Sequence, residues 1–160
     1  MSSNLQQAVG ASPLAQDLSP QQASVLAGVM REEHHAAGAV LAREGTADTK
    51  LYVIVAGTLG IIKAHGTPEQ QLLLTLNPGD LAHELGFMDG AERYASLVAR
   101  GELRVLVLER DALEGLIDSQ PRVVYGVLRA IVRTVHRVQK GLAVQASELT
   151  NYIVKQHGRY

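Results

Sequence analysis

Short apolar runs separated by glycines fill the middle of the chain, from Glu32 to Glu109, and they restrict the possible folds more than any other feature. Runs such as "LYVIVAG", "TLGIIKAH" and "LRVLVLE" have the length and the aliphatic content of buried strands. Glycines recur between them at turn positions, where they permit backbone conformations that other residues avoid. The pattern predicts a β-barrel or sandwich of about eight strands over about 32–109.

Helical patterns flank this β region on both sides. Before it, Ser19 and Pro20 are a typical N-cap and first-turn pair, and apolar residues follow them at helical spacing. After it, "RDALEGLID" predicts a short helix, and Pro121 opens a long one that extends past Ile153. The predicted fold class is therefore α+β. We expect a jelly-roll-like β-barrel flanked by an N-terminal helix and by C-terminal helices over about 110–155, the last one long.

The size of the chain suits a single domain. A hydrophobic content of 46% in 160 residues is enough for one core. We therefore expect one domain over 18–160. Residues 1–17 are polar and weakly periodic, and we expect them to form a flexible arm or a short helix.

Charge and composition exclude several classes of protein. The 15 Lys and Arg residues are balanced by 16 Asp and Glu residues, which argues against a protein that coats nucleic acid. The chain has no Cys, which excludes disulfides, thiolate metal sites and cysteine nucleophiles. No apolar run approaches the roughly 20 residues of a membrane span, and the first residues do not resemble a secretion signal. We expect a soluble, cytoplasmic protein that does not bind membranes.

The predicted long helix carries an apolar stripe at alternating spacings of four and three residues, which is the pattern of a coiled-coil seam. Gln145 is the one polar member of the stripe, and a single polar residue can fix the register of two helices. The pattern predicts a homodimer through this helix; the alternative is a helix that packs on its own β domain. The expected dimer-interface residues are Val124, Leu128, Ile131, Val135, Val138 and Leu142.

Basic residues form a second stripe on the same helix. They are Arg129, Arg133, Arg137 and Lys140, again at spacings of four and three. Such a stripe is usually a solvated face, and it also suits an acidic protein partner or a contact with a second helix. The sequence leaves these options open.

Three motifs resemble the cyclic-nucleotide-binding domain of the catabolite activator protein superfamily, over about residues 18–140. "EGTADTKLYVIVAGTL", from Glu44 to Leu59, is similar to the family's "EGDxxDxLYxIxxGxV". "LNPGDL", residues 76–81, is similar to the family's usual lead into its phosphate-binding cassette. The cassette typically reads "FGELALLDGAPRSATV", and this chain has "AHELGFMDGAERYASL", residues 82–97, at equal length. The resemblance implies a jelly-roll domain that binds a cyclic nucleotide, cAMP or cGMP.

The resemblance also implies a ligand site built around the cassette. Arg93 would hold the cyclic phosphate through two parallel charged hydrogen bonds. The main-chain amides of Glu84 and Leu85, at the start of a one-turn helix, would add partial positive charge. The Glu84 carboxylate would accept a hydrogen bond from the ribose 2′ hydroxyl. The other expected ligand-binding residues are Ala95 in the cassette, and Leu73 and Val53 as apolar walls on inward-facing strands.

Two cassette positions depart from the family's pattern. His83 stands at a position where the family has Gly. The family's glycine lets the backbone pass close to the ligand. An imidazole at this position intrudes on the ligand, points outward or donates to the phosphate. Tyr94 stands where the family has Ser or Thr, whose hydroxyl donates to the phosphate, so its phenol would reach the ligand from elsewhere. Both are candidate ligand-binding residues, and both leave the identity of the ligand open.

The sequence contains no catalytic or metal-binding constellation. "HELGFM" lacks the second histidine of a zinc protease, since Met88 occupies the required position. A cupin-like metal site needs a histidine cluster on the earlier strands, and the adjacent His34 and His35 would point to opposite faces of a strand. The serine elbow and the glycine-rich phosphate loops are missing as well. We expect a protein that is not an enzyme and that has no metal and no cofactor besides the nucleotide ligand.

These features predict two functions from different classes. The first is a dimeric regulatory protein that binds a cyclic nucleotide and signals to a protein partner by moving its C-terminal helices against the barrel. The alternative is a degenerate domain that acts as a dimeric protein-interaction module, or that binds another anion such as cyclic di-GMP. The chain stops at Tyr160, and its tail lacks the pattern of a recognition helix, so we expect no direct DNA binding.

Overall fold

Two four-stranded antiparallel sheets form the centre of the fold. The computed structural model describes the backbone of residues 3–157 and every side chain in that range except those of Leu85, Gln156 and His157. The strands are β1 (Arg31–His35), β2 (Val40–Ala42), β3 (Lys50–Ala56), β4 (Leu59–Lys63), β5 (Gln71–Leu76), β6 (Leu81–Ala82), β7 (Ser96–Ala99) and β8 (Leu103–Glu109). Their order is β1-β8-β3-β6 in the first sheet and β2-β7-β4-β5 in the second sheet.

Helices flank the two sheets at both ends of the described chain. They are α1 (Ser3–Ala11), a short 3-10 helix at Pro13–Ala15 and α2 (Pro20–Ala27) before the strands, and α4 (Arg110–Glu114) and α5 (Pro121–His157) after them. A further short helix, α3 (Glu84–Asp89), lies between β6 and β7. The predicted α+β jelly-roll class with a long last helix is therefore confirmed. None of the helices between residues 3 and 157 combines the length and the hydrophobicity that a membrane crossing requires.

The starts of α2 and α5 follow from local sequence. Ser19 and Gln22 form a reciprocal cap: Ser19 Oγ accepts from the Gln22 N–H at 3.2 Å, and Gln22 Oε1 accepts from the Ser19 N–H at 2.9 Å. Pro121 is the first residue of α5, where its missing N–H removes no helical bond. Gly126 lies within α5 and does not end it. Its missing side chain lets the helix approach Leu18, with which a larger residue at this position would collide.

Apolar side chains form two cores, one on each face of the first sheet. The inner core lies between the two sheets and includes Tyr52 and Ile54 of β3. The outer core lies between the first sheet and the helices and includes Leu51 and Val53 of the same strand. Neighbouring residues of a strand point to opposite faces, so a strand that is covered on both faces is buried along its length. This strand positions the functional site described below.

Residues 3–15 do not form a flexible arm; of the two alternatives expected from the sequence, the short helix is present as α1. Leu5 and Val9, one helical turn apart in α1, are 6% and 0% exposed, and Leu14 is 0% exposed. All three belong to the outer core, so this segment is part of the domain. The polar residues of α1 are exposed, and they outnumber the large apolar ones, Leu5 and Val9. The short apolar stripe is therefore difficult to recognise in the sequence.

The first half of α5 packs on its own chain, which corrects part of the expected dimer interface. Ile131 is 3% exposed and belongs to the outer core. Val124 and Leu128 are partly buried against the same core. Ile131 is thus unavailable to a second helix. From position 136 to position 155, in contrast, every residue of α5 is exposed.

Candidate functional site

Arg93 lies at the centre of the cassette, between α3 and β7, with its side chain 2% exposed. Its main chain pairs with the loop between β2 and β3. The Gly45 N–H donates to Arg93 O at 2.8 Å, and the Arg93 N–H donates to Thr46 O at 2.9 Å. Gly45 has a φ of 82°, which glycine adopts without strain. This pairing fixes the point from which the arginine side chain extends.

Asp48, in the same loop, binds one edge of the Arg93 guanidinium. Nε donates to Asp48 Oδ2 at 3.1 Å, and Nη2 donates to Oδ1 at 2.7 Å. Burial opposes ionisation of Asp48, but the hydrogen bonds from Arg93 and from the Lys50 N–H outweigh burial and lower the pKa of this carboxyl. The guanidinium has five N–H bonds, and the bonds to Asp48 use two of them. Nη1 makes no hydrogen bond to another residue that the structure describes.

The Tyr52 ring lies beside the same guanidinium, with its centroid 5.8 Å from Arg93 Cζ. This distance is within the range of a cation–π interaction. Tyr52 belongs to the inner core, and burial raises its pKa to about 12, so the phenol stays neutral. Arg93 is therefore held by a carboxylate at one edge and by an aromatic ring.

Neither Asp48 nor Tyr52 is predicted as a site residue from the sequence. Both lie in the motif from Glu44 to Leu59, which indicates the fold. The residue types in that motif could have identified both as site residues, because a carboxylate and an aromatic ring are suitable neighbours for a buried arginine.

His83 precedes α3 with φ 68° and ψ 31°, in the left-handed region that favours glycine. Its ring is partly buried and lies against Gly86 of α3, where any Cβ would collide with the imidazole. Nε2 is 3.3 Å from the main-chain oxygen of Asp48. Because a carbonyl oxygen only accepts, Nε2 carries the hydrogen in this contact. The ring therefore does not point outward into solvent, which was one of the orientations expected from the sequence; it lies beside Asp48.

Burial shifts the pKa of His83 and the pKa of Glu84 in opposite directions. Burial and then the Arg93 charge lower the pKa of His83, against the hydrogen bond to Asp48 and the charges of Asp48 and Asp89. Burial raises the pKa of Glu84, and the bond from its own N–H only partly offsets this. A desolvated carboxyl of this kind is stabilised by a hydroxyl donor.

The remaining predicted residues are placed differently from one another. Ala95 directly precedes β7 and is 3% exposed, and Leu73 on β5 is 43% exposed. Tyr94 is 66% exposed, and its main-chain oxygen accepts from Lys63 Nζ at 2.9 Å. Leu85 lies in the first turn of α3. The structure thus brings His83 and Arg93 to Asp48, places Glu84 next to His83 at the start of α3, and leaves the Tyr94 ring in solvent.

Val53 is not an apolar wall of this site, which corrects another expectation. Its side chain belongs to the outer core, on the face of β3 opposite to Tyr52. There it lines a cavity of about 750 Å³ under α1, together with Ala8 and Leu106. The two faces of β3 are equally apolar in sequence, so residue type does not indicate which face meets the cassette.

Comparison with known proteins identifies the family of the chain. Residues 32–120 match the family model of the cyclic nucleotide-binding domain, and the chain belongs to this family. The CRP-like cAMP-activated global transcriptional regulator of Mycobacterium tuberculosis is 30% identical over 100 residues, 62% of this chain and 45% of that protein. The chain therefore spans about half the length of that curated relative.

Two solved structures have the same fold. A cyclic nucleotide-binding domain from Methylobacillus flagellatus superposes with a TM-score of 0.74 at 25% identity, over 86% of this chain and 77% of that one. The N-terminal domain of a transcriptional regulator from Streptomyces coelicolor gives 0.70 at 26% identity, over 84% of this chain and 94% of that one. The family resemblance seen in the three sequence motifs is confirmed.

Proposed function

We propose that this chain is a regulatory sensor module that binds a cyclic nucleotide, cAMP or cGMP, and signals to a protein partner through its C-terminal helices. The observation that carries the proposal is the buried Arg93, oriented by Asp48 and Tyr52. A buried guanidinium is stabilised by acceptors for its remaining N–H bonds. A cyclic phosphate offers one negative charge on oxygens that accept two parallel N–H bonds. Family membership supports the same class of ligand.

The neighbours of Arg93 suit the other parts of such a ligand. In the proposed complex, the Glu84 carboxyl accepts from the ribose 2′ hydroxyl, and the main-chain amides of Glu84 and Leu85 lie near the phosphate. Ala95 and the exposed Leu73 contact the sugar and the base. The proposed role is binding and not catalysis, because these groups hold a ligand and offer no nucleophile with an adjacent base.

The proposed signal passes from the cassette to α5 through α3. Phe87 of α3 is 0% exposed and belongs to the outer core together with Val123 and Val127 of α5. A ligand that shifts α3 also moves Phe87 against α5, since close-packed side chains transmit displacements. Ligand binding would then change the population of α5 positions that the partner recognises.

We further propose that the module forms a homodimer through the second half of α5. Val138 and Leu142 of the predicted seam are 48% and 60% exposed, and they continue the heptad pattern beyond the chain's own core. Pairing with the same face of a second copy would bury these side chains.

One observation favours the second candidate function, a domain with an altered pocket. The His83 imidazole occupies space beside Asp48 where the family has only a glycine hydrogen. If the ring excludes a cyclic mononucleotide, the chain is a dimeric protein-interaction module or binds a different anion such as cyclic di-GMP.

Calorimetric titration separates these functions. Wild-type protein is titrated with cAMP, cGMP and cyclic di-GMP, and we expect heat with cAMP or cGMP. Arg93→Lys keeps the charge but loses the two-pronged geometry, so we expect binding weaker by about 1.5–3 kcal/mol, roughly 10- to 150-fold. Arg43→Lys, at an exposed arginine of the neighbouring loop, is the matched control and should bind as wild type does.

The contrary outcomes are distinct. Folded wild-type protein that gives no heat with cAMP or cGMP contradicts the sensor function. Heat with cyclic di-GMP alone favours the altered pocket. If Arg93→Lys binds the nucleotide as tightly as the wild type does, Arg93 is not the residue that holds the phosphate.

A further inference from the structure

The charges around Arg93 do not favour an anion as they stand. The positive charge of Arg93 is balanced by the Asp48 carboxylate, whose pKa is lowered. Glu84 and Asp89, both on α3, add negative charge when they are ionised. A ligand with one negative charge therefore meets a site without net positive charge at neutral pH. One more positive charge beside Arg93 would make the site more favourable to an anion.

His83 is the titratable base at this position, and the geometry holds it there. Its Nε2 donates to the main-chain oxygen of Asp48 at 3.3 Å, and its ring lies on Gly86. The carboxylate of the same Asp48 holds Nε and Nη2 of Arg93. A single residue thus links the imidazole to the guanidinium, the first through its main-chain oxygen and the second through its carboxylate.

We propose that His83 determines the pH range over which the phosphate site binds its ligand: it positions Asp48 when neutral and supplies a second positive charge to the phosphate when protonated. The inference depends on the proposed function, since it assumes a cyclic nucleotide at Arg93. Nε2 already carries a hydrogen, so the additional proton comes from solvent and binds to Nδ1. Ligand binding is therefore coupled to uptake of a proton.

The direction of the pH dependence follows from linkage. Burial and the Arg93 charge lower the pKa of His83 in the free protein, and a phosphate beside the ring raises it in the complex. Between these two pKa values the complex holds more protons than the free protein. Affinity therefore rises as the pH falls through the pKa of the complex, and it levels off below the pKa of the free protein. Each unit between the two pKa values changes the affinity about tenfold.

The charged groups that face His83 set the controls. They are Arg93 in the cassette, Asp48 in the loop between β2 and β3, and Asp89 in α3. Glu84, next to His83 in the chain, has a raised pKa because it is buried, and it also takes up protons as the pH falls. A variant that removes the carboxyl charge, Glu84→Gln, separates its share from that of His83.

The experiment is calorimetry of the whole chain with cAMP and cGMP between about pH 5.5 and pH 7.5, in buffers of different ionisation enthalpy. We expect several-fold tighter binding at the lower pH, with measurable proton uptake. His83→Gln retains an N–H donor for the Asp48 oxygen but carries no charge, so proton uptake should fall and the pH dependence should flatten. His34→Gln, at an imidazole whose side chain is 73% exposed, should behave as wild type.

Each contrary result has its own meaning. Binding that does not depend on pH, or a pH dependence that persists in His83→Gln, overturns the inference and leaves the proposed function intact. Tighter binding by His83→Gly than by wild type at every pH shows that the ring only obstructs, and it also overturns the inference. If folded wild-type protein binds neither nucleotide at any pH, the proposed function and the inference both fail.

Discussion

At the residue level, Arg93 is a buried cation whose compensation depends on one carboxylate. Asp48 lies 45 positions earlier in the chain and supplies both acceptors for the Nε and Nη2 edge. With the Arg93 side chain 2% exposed and that of Asp48 31% exposed, loss of the carboxylate charge would leave a desolvated guanidinium with weaker partners. The pair is therefore expected to affect both stability and ligand affinity.

Asp48→Asn tests this dependence. We expect the free energy of unfolding to fall by about 1–3 kcal/mol and cyclic-nucleotide binding to weaken, because Arg93 loses its charged partner and its orientation. Urea unfolding and calorimetry measure the two effects. Asp80→Asn is the matched control, since the Asp80 carboxylate accepts from the Asn77 N–H in a turn at 2.8 Å. Equal losses in the two variants would contradict the assignment.

The stabilising effect of Asp48 also has a defined pH range. Its pKa is lowered in the folded protein, so its contribution is fully present above the ordinary aspartate pKa of about 3.9. The contribution is lost as the pH falls through the folded-state pKa. We therefore expect the stability difference between wild type and Asp48→Asn to shrink below about pH 4. A difference that stays constant there would show that Asp48 acts through its shape and not through its charge.

The sequence predicts the individual residues of the site better than their pairing. Arg93 and Glu84 follow from the cassette motif. The contact between Asp48 and Arg93 does not follow, because it joins two loops that only the folded sheets bring together. Local spacing also suggests no conformation for His83, whose ring position depends on the absence of a side chain at Gly86.

At the level of elements, β3 and α5 show where periodicity is ambiguous. Residues 51–54 of β3 are buried on both faces, so alternation separates Tyr52 from Val53 without indicating which one faces Arg93. The heptad pattern of α5 likewise continues through two environments. Ile131 packs on the chain's own core, whereas Leu142 is 60% exposed, although both occupy the same stripe.

The exposed half of α5 leads to a prediction about assembly. Leu142→Glu places a charge on the proposed seam, so we expect the homodimer to dissociate at micromolar concentration. Light scattering coupled to gel filtration measures the mass. Val144→Glu is the control, because Val144 is also exposed, at 50%, but lies between the seam positions Leu142 and Gln145 and not on the seam. A monomeric wild type, or a Leu142→Glu variant that stays dimeric, would exclude this seam.

At the level of the whole molecule, residues 3–15 complete the outer core rather than extending from it. The sequence predicts the jelly-roll class and the long last helix because their patterns are repeated over many residues. It does not predict the packing of α1, because two apolar residues one turn apart are too few to define a helical face. The helix gains its stability from tertiary contacts with the core.

Leu14→Ala tests whether this segment belongs to the fold. Leu14 is 0% exposed, so we expect a loss of about 2–5 kcal/mol in the free energy of unfolding. Chemical denaturation measures it, and Ile117→Ala, at a side chain that is 49% exposed, should cost far less. A neutral Leu14→Ala variant would support the flexible arm that the sequence suggests.

Because the His83 ring fills the space that a side chain at position 86 would occupy, substitutions at these two positions are coupled. The family's typical cassette has Gly and Ala where this chain has His and Gly, so the bulk removed at one position accompanies the bulk added at the other. Ala at position 86 favours a helix by about 1 kcal/mol over Gly, yet beside His83 it must displace the imidazole. Gly86→Ala should therefore destabilise the wild type and stabilise His83→Gly. The imidazole can take this position only beside a residue without a side chain at position 86, so the effect of a substitution at either position depends on the residue at the other.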